Sequence, residues 1–255
     1  MKRFSDRTGW NRVENALMEE LRRRQGTGVP VLDLTRSNPT ECGFRYDEAL
    51  IRGAFTGEGL LRYQPDPKGL RAGREAVCKY YAGCGLGIGP DELFLTSGTS
   101  EGYSFLFRLL CNAGDEVLVP VPGYPLLDFL AELCDVKLRP YALVYDHGWQ
   151  MDMGALVAAT TERTKAVVVV HPNNPTGHYT AAGERGRLAE FCAQRGIAII
   201  ADEVFLDFAL EANGGEKRRS FATEGEALTF VLSGISKICG LPQMKLAWIV
   251  VNGPK

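Results

Sequence analysis

The sequence predicts an α/β protein with a mostly parallel, doubly wound sheet. Short β-branched runs (ELFLT, DEVLVP, KAVVVVHP, GIAIIADE and LTFVLS) alternate with helical stretches at 68–82, 100–111, 126–134 and 182–195. Strands spaced by helices of this length argue parallel pairing. VVVV and IAII are apolar on both faces, as strands buried between two helix layers must be. The residues just after the strands are polar and unusual: SGTS, PGYP, HPNNPTG, DE and SGISK. In an open α/β sheet, ligands bind beyond the carboxyl ends of the strands, so these segments predict one composite site.

Taken in order, Trp10, Val13, Leu17 and Leu21 share one helical face and predict a helix over 10–25, stopped by Gly26. VPVLDLT (29–35) is a short strand candidate, and the turn-rich SNPTECG follows it. The alternating pattern begins near residue 46 and runs to a last strand opening at LAWIVV. Residues 1–45 are therefore expected to form an N-terminal helix and arm, and 46–255 a large domain. EANGGEKRRS (211–220), polar and glycine-containing, is the expected exposed loop.

Composition narrows the function class. The 255 residues are 45% hydrophobic and 24% charged, which suits a soluble globular protein and argues against extensive disorder. A net charge of −2 without long single-sign runs points away from nucleic acid and membrane surfaces. The basic cluster at 22–24 closes the first helix, where positive charge complements the helix dipole. Seven scattered cysteines without a C-x-x-C pair fit a reducing compartment. No secretory h-region opens the chain and no apolar run approaches the ~20 residues of a membrane helix, so a cytoplasmic protein is expected.

Several strand-end residues carry chemistry, each with a plainer reading beside it. Ser97, Gly98, Thr99 and Ser100 lie between a strand and a helix. They suit a phosphate at a helix N-terminus, or simple capping by a hydroxyl. Asp202 ends a fully apolar strand, where a carboxylate needs a cation or strong donor; a cofactor ring nitrogen or a core arginine would serve. Lys237 is placed as an imine-forming lysine or a surface lysine. Asn174 can be a turn residue or an active-site amide, and Tyr124 a stacking platform or a packed turn aromatic. GCGLGIG (83–89) lacks the dinucleotide-binding spacing, and His147, His171 and His178 lack zinc-ligand spacing, which leaves them structural roles.

Together, RYQPDPKGL (62–70), TSGTSEG (96–102), PGYP (122–125), HPNNPTG (171–177), ADEVF (201–205) and SGISKICGLPQMK (233–245) resemble, in order, the class I/II aminotransferases of pyridoxal 5'-phosphate (PLP) fold type I. The resemblance covers nearly everything after residue 30. It implies that Lys237 is the Schiff-base lysine and proton shuttle, and that Asp202 pairs with the pyridinium nitrogen. It further implies that Asn174 bonds the phenolic oxygen and Tyr124 stacks on the ring. Ser97–Ser100 would hold the phosphate, with Ser236 helping. Tyr63 would reach the neighbouring subunit's phosphate, making a homodimer.

Four departures stand out. Phe205 replaces the family's tyrosine, Lys245 its phosphate-binding arginine, Gly234 a frequent serine, and Ser37 a frequent glycine. The family's small C-terminal domain, with the arginine that clamps the substrate carboxylate, is expected to be absent from this sequence. The function expected is amino transfer between an amino acid and a 2-oxo acid. The alternatives are a PLP-dependent C–S β-lyase, or a catalytically impaired fragment that only binds PLP or dimerises.

Overall fold

A computed structural model describes residues 4–10, 13–57, 59, 61–208, 219–223 and 225–254. The chain divides into two compact units, 1–44 and 45–255.

In the first unit, helix α1 spans Ala16–Gly26, later than the 10–25 expected, because Asn15 caps it by accepting the Met18 N–H at 2.9 Å. Trp10 and Val13 lie before it. Val29–Thr35 is not a strand. No ladder pairs it among the described residues, and Leu32 and Leu34 are more than four-fifths exposed. A strand without a hydrogen-bonded neighbour has no reason to persist.

The second unit is an eight-stranded sheet. Its elements in chain order are α2 (Glu48–Gly53), α3 (Arg71–Gly83), β1 (Leu93–Thr96), α4 (Thr99–Leu110), β2 (Glu116–Val121) and α5 (Leu126–Leu133). There follow β3 (Lys137–Tyr145), β4 (Trp149–Met151), α6 (Met153–Ala159), β5 (Thr164–Val170), α7 (Ala182–Arg195) and β6 (Ala198–Asp202). The last are β7 (Thr229–Gly234), α8 (Ile235–Ile238) and β8 (Ala247–Asn252). Strand order is β1-β8-β7-β6-β5-β2-β3-β4, with β3, β2, β5, β6 and β7 mutually parallel. β8 is antiparallel to both neighbours, so β1 points the same way as the parallel set.

The two-sided burial of the central strands is visible residue by residue. Val167, Val169, Ile199, Ala201 and Val231 pack with Val77 and Tyr81 of α3, Leu156 of α6 and Leu188 of α7. The alternate positions Val168, Val170, Ile200 and Leu232 pack with Tyr103, Leu106 and Phe107 of α4 and with Leu127 and Leu130 of α5. A helix layer thus covers each face, and all parallel strands end at one edge.

Of the expected loop at 211–220, residues 211–218 lie outside the described residues. Ser220 is a correction: it is fully buried, because its hydroxyl donates to the Glu203 carboxylate at 2.6 Å. Among the described residues no helix is long and apolar enough to cross a membrane, and all seven cysteines are free.

Candidate functional site

The parallel strands deliver their polar ends to one edge, where Lys245 approaches Gly98 and Phe205 approaches Lys237. Gly98 is the N-cap of α4 and supplies no side-chain cap, so capping by a hydroxyl is not what the SGTS turn does. The Ser97 N–H instead donates to Glu101 at 2.7 Å, and Thr99 and Ser100 open the helix. Lys245 Nζ lies 3.7 Å from where a Gly98 Cβ would stand. Lys245 itself adopts a left-handed backbone (φ 52°, ψ 57°), a conformation costing about 1–2 kcal/mol for a residue with a side chain. A cation beside a helix N-terminus makes a cradle that fits a phosphate.

From that turn, α4 leads to Tyr103, whose hydroxyl donates to Asp202 Oδ2 at 3.0 Å. Asp202 is 5% exposed at the end of β6, and its Oδ1 accepts the Val204 N–H at 3.2 Å. Burial pushes its pKa up to about 6, against the pull of these two donors. The hydrogen bonds given to its carboxylate come from a phenol and a backbone amide rather than from an arginine. A buried carboxylate that accepts from neutral donors fits a cationic ring nitrogen.

Three residues on, Phe205 turns its ring to Lys237, whose Nζ stands 5.4 Å from the ring centroid. Lys237 and Ser236 are half-buried on α8 after β7. The turn into α8 requires Gly234. A Cβ there would stand 2.8 Å from Ala247 Cβ, since the two residues pair across β7 and β8. Tyr46 pins the other side of the turn. Its hydroxyl donates to the Lys237 carbonyl at 3.1 Å and its ring fills the space beside Gly240 (φ +63°).

The HPNNPTG segment starts beside Asp202, with the His171 N–H donating to the Asp202 carbonyl at 2.8 Å. Asn173 folds the turn, its Oδ1 accepting from the Thr176 N–H and hydroxyl, and the half-buried Asn174 follows it. His171 is structural: Nδ1 accepts the Thr180 N–H and Nε2 faces the Arg219 carbonyl, while burial lowers its pKa to about 3. Tyr124 is 42% exposed at the start of α5 and within electrostatic reach of Tyr103. Tyr63 stands apart, 91% exposed.

Tyr103 and Tyr46 were not singled out from sequence. Tyr103 had a readable signal, since it precedes Phe107 by one helical turn on the apolar stripe of α4, and a buried tyrosine hydroxyl must find a partner. Tyr46 had none, being 191 residues from its acceptor. A cavity lined by Lys165, Cys192, Gly196, Glu226 and Leu228 opens at the opposite edge and contains none of these groups.

A family model described as aminotransferase class I and II matches residues 44–254. The glutamate-pyruvate aminotransferases AlaA of Haemophilus influenzae and Escherichia coli are 29% and 30% identical to this chain, each match covering 95% of it and 60% of the relative. The S-alkyl-thiohydroximate lyase SUR1 of Arabidopsis thaliana is 32% identical over 166 residues, 36% of its own length. Among solved structures, an aminotransferase from Escherichia coli matches with a TM-score of 0.79 at 29% identity, over 94% of this chain and 59% of that one. Alanine aminotransferase from Pyrococcus furiosus matches with 0.80 at 26%, over 98% and 63%. The chain thus spans about 60% of the length of the curated relatives it matches.

Proposed function

This chain belongs to the class I and II aminotransferases, and from that premise we propose that it binds PLP at the strand-end site and serves amino transfer between an amino acid and a 2-oxo acid. The observation that carries the proposal is Asp202, a buried carboxylate met by neutral donors at the sheet edge from which Lys237 also projects.

When bound, PLP supplies an electron sink for the bond broken at the substrate's α-carbon. The chain's residues supply the rest. The Lys237 amine would carry the cofactor and move the α-carbon proton. Asp202 keeps the ring nitrogen protonated. Ser97–Ser100 with Lys245 and Ser236 would hold the phosphate, Asn174 would bond the phenolic oxygen, and Tyr124 would cover the ring. Phe205 flanks Lys237 without offering a hydroxyl. Lysine in place of arginine at 245 keeps the charge but gives up bidentate geometry.

We further propose a homodimer in which Tyr63, 91% exposed, reaches the partner's phosphate. The seven free cysteines support a reducing, cytoplasmic setting. The names of the AlaA relatives point to glutamate as donor and pyruvate as acceptor.

The test is borohydride reduction of the PLP-treated chain, followed by peptide mapping. Cofactor mass on the Lys237 peptide, lost in Lys237→Ala, is expected; an adduct retained elsewhere in that variant overturns the assignment. Without reduction, the PLP-treated chain incubated with glutamate and pyruvate should yield alanine. Pyruvate and ammonia released from cystathionine without an oxo acid would favour the lyase reading, to which SUR1 lends some weight.

A further inference from the structure

Tyr103 lies on the buried face of α4, 2% exposed, with its ring 5.9 Å from that of Phe107. Nothing in the apolar stripe of that helix calls for a hydroxyl, yet this one reaches across to the end of β6 and donates to Asp202 Oδ2 at 3.0 Å. The direction of donation is fixed. Burial first, and then the neighbouring carboxylate, push the Tyr103 pKa well above its ordinary value, so the phenol keeps its proton. A permanent donor favours the charged form of its acceptor.

We propose that Tyr103 is a positioning residue that holds the Asp202 carboxylate charged and in place for a protonated ring nitrogen. This inference rests on the cofactor reading above.

The balance is close enough for one donor to decide it. Burial brings Asp202 to about 6 while only Tyr103 and the Val204 N–H pull it down. Losing one of the two would bring the carboxyl's midpoint close to physiological pH. Few other groups compete. Glu203, next on β6, gives its carboxylate to the Ser220 hydroxyl and the Phe221 N–H. Tyr124 and Tyr141 act electrostatically on Tyr103 itself.

Tyr103→Phe keeps the ring packing and removes the donor. In the cofactor-free chain, labelled with carbon-13 at aspartate carboxyls and assigned with Asp202→Asn, the Asp202 titration midpoint should rise by roughly one pH unit, a tenfold change in proton affinity. An unmoved midpoint overturns the inference. With nitrogen-15-labelled PLP bound near neutral pH, the wild type should show a protonated ring nitrogen and Tyr103→Phe a clearly smaller protonated fraction. A ring nitrogen equally protonated in both overturns the positioning role and leaves the cofactor reading intact. A wild type that never protonates or binds the ring overturns the cofactor reading, and the carboxyl titration still decides what Tyr103 does to Asp202. Should Tyr103→Phe fail to fold, 3-fluorotyrosine at 103, a stronger donor of nearly the same shape, should lower the midpoint; no change would count against the proposal.

Discussion

At the residue scale, the contact between Phe205 and Lys237 has the sharpest consequence. An ammonium over a phenyl face gains about 0.5–1 kcal/mol at a partly exposed site, and the ring offers no hydrogen bond. Phe205→Tyr would place a hydroxyl donor beside the position proposed for the cofactor's phenolic oxygen. A donor stabilises that oxygen's charge, so the pH at which the bound cofactor changes its visible band should fall, by roughly one pH unit. A pH–absorbance titration of the two proteins checks this, and coincident curves would mean that residue 205 faces away. Most of the contact chain was legible in the sequence at this scale. Lys237, Asp202, Gly98 and Lys245 are named by their places after apolar strands and by the motifs around them. Tyr103 and Tyr46 act across 99 and 191 residues, and no local pattern encodes such a distance.

At the scale of elements, the site depends on how closely α4 lies on the sheet. A Cβ at Gly102 would come within 2.7 Å of Leu232 Cδ2 on β7. Leu232 is fully buried and has little room to rotate away. Gly102→Ala would gain up to about 1 kcal/mol of helix propensity but incur overpacking of about 1–3 kcal/mol. The urea midpoint should therefore fall by the equivalent of about 1 kcal/mol, and cofactor affinity with it, because α4 carries both Gly98 and Tyr103. A variant more stable than wild type would show that the helix tolerates a wider seat.

The elements that escaped sequence reading have physical reasons as well. β3 carries Pro140, a residue that ordinarily argues against a strand. Here it pairs with Val119 of β2, while β4 covers only Leu143–Tyr145 on the other side, so at Pro140 the strand has a ladder on one side only. Val29–Thr35 reads as a strand by composition alone, and β-propensity expresses packing against neighbours that this segment lacks.

For the whole molecule, the buried carboxyls set a pH dependence. Glu203, 1% exposed behind Asp202, is pushed up to about 7 by burial, against the Ser220 and Phe221 donors. A carboxyl raised in the fold takes up protons that the unfolded chain has already released. Its contribution is therefore fully present below about pH 4.5 and lost as pH rises through 7, an effect of about 3 kcal/mol. His171 works in the opposite sense. Held neutral down to about pH 3, it costs stability as pH falls below about 6.5, where the unfolded histidine gains a proton. The clean measurement is the stability difference between the cofactor-free wild type and Glu203→Gln, in which the His171 effect cancels. Wild type should lose ground steadily from about pH 5 to about pH 8. A flat difference would mean that Glu203 is ionised throughout.

The sequence by itself determined the alternation of strand and helix, the double-sided burial of the central strands and the polar character of their carboxyl ends. These are written in periodicity and local composition, which a linear chain displays directly. The tertiary structure alone decided that Tyr103, not an arginine, meets Asp202, that Lys245 bends back toward Gly98, and that Tyr46 braces the Lys237 turn. Those pairings exist only once helices are seated on the sheet, because burial is what turns a hydroxyl or a carboxylate into a group that must find its partner.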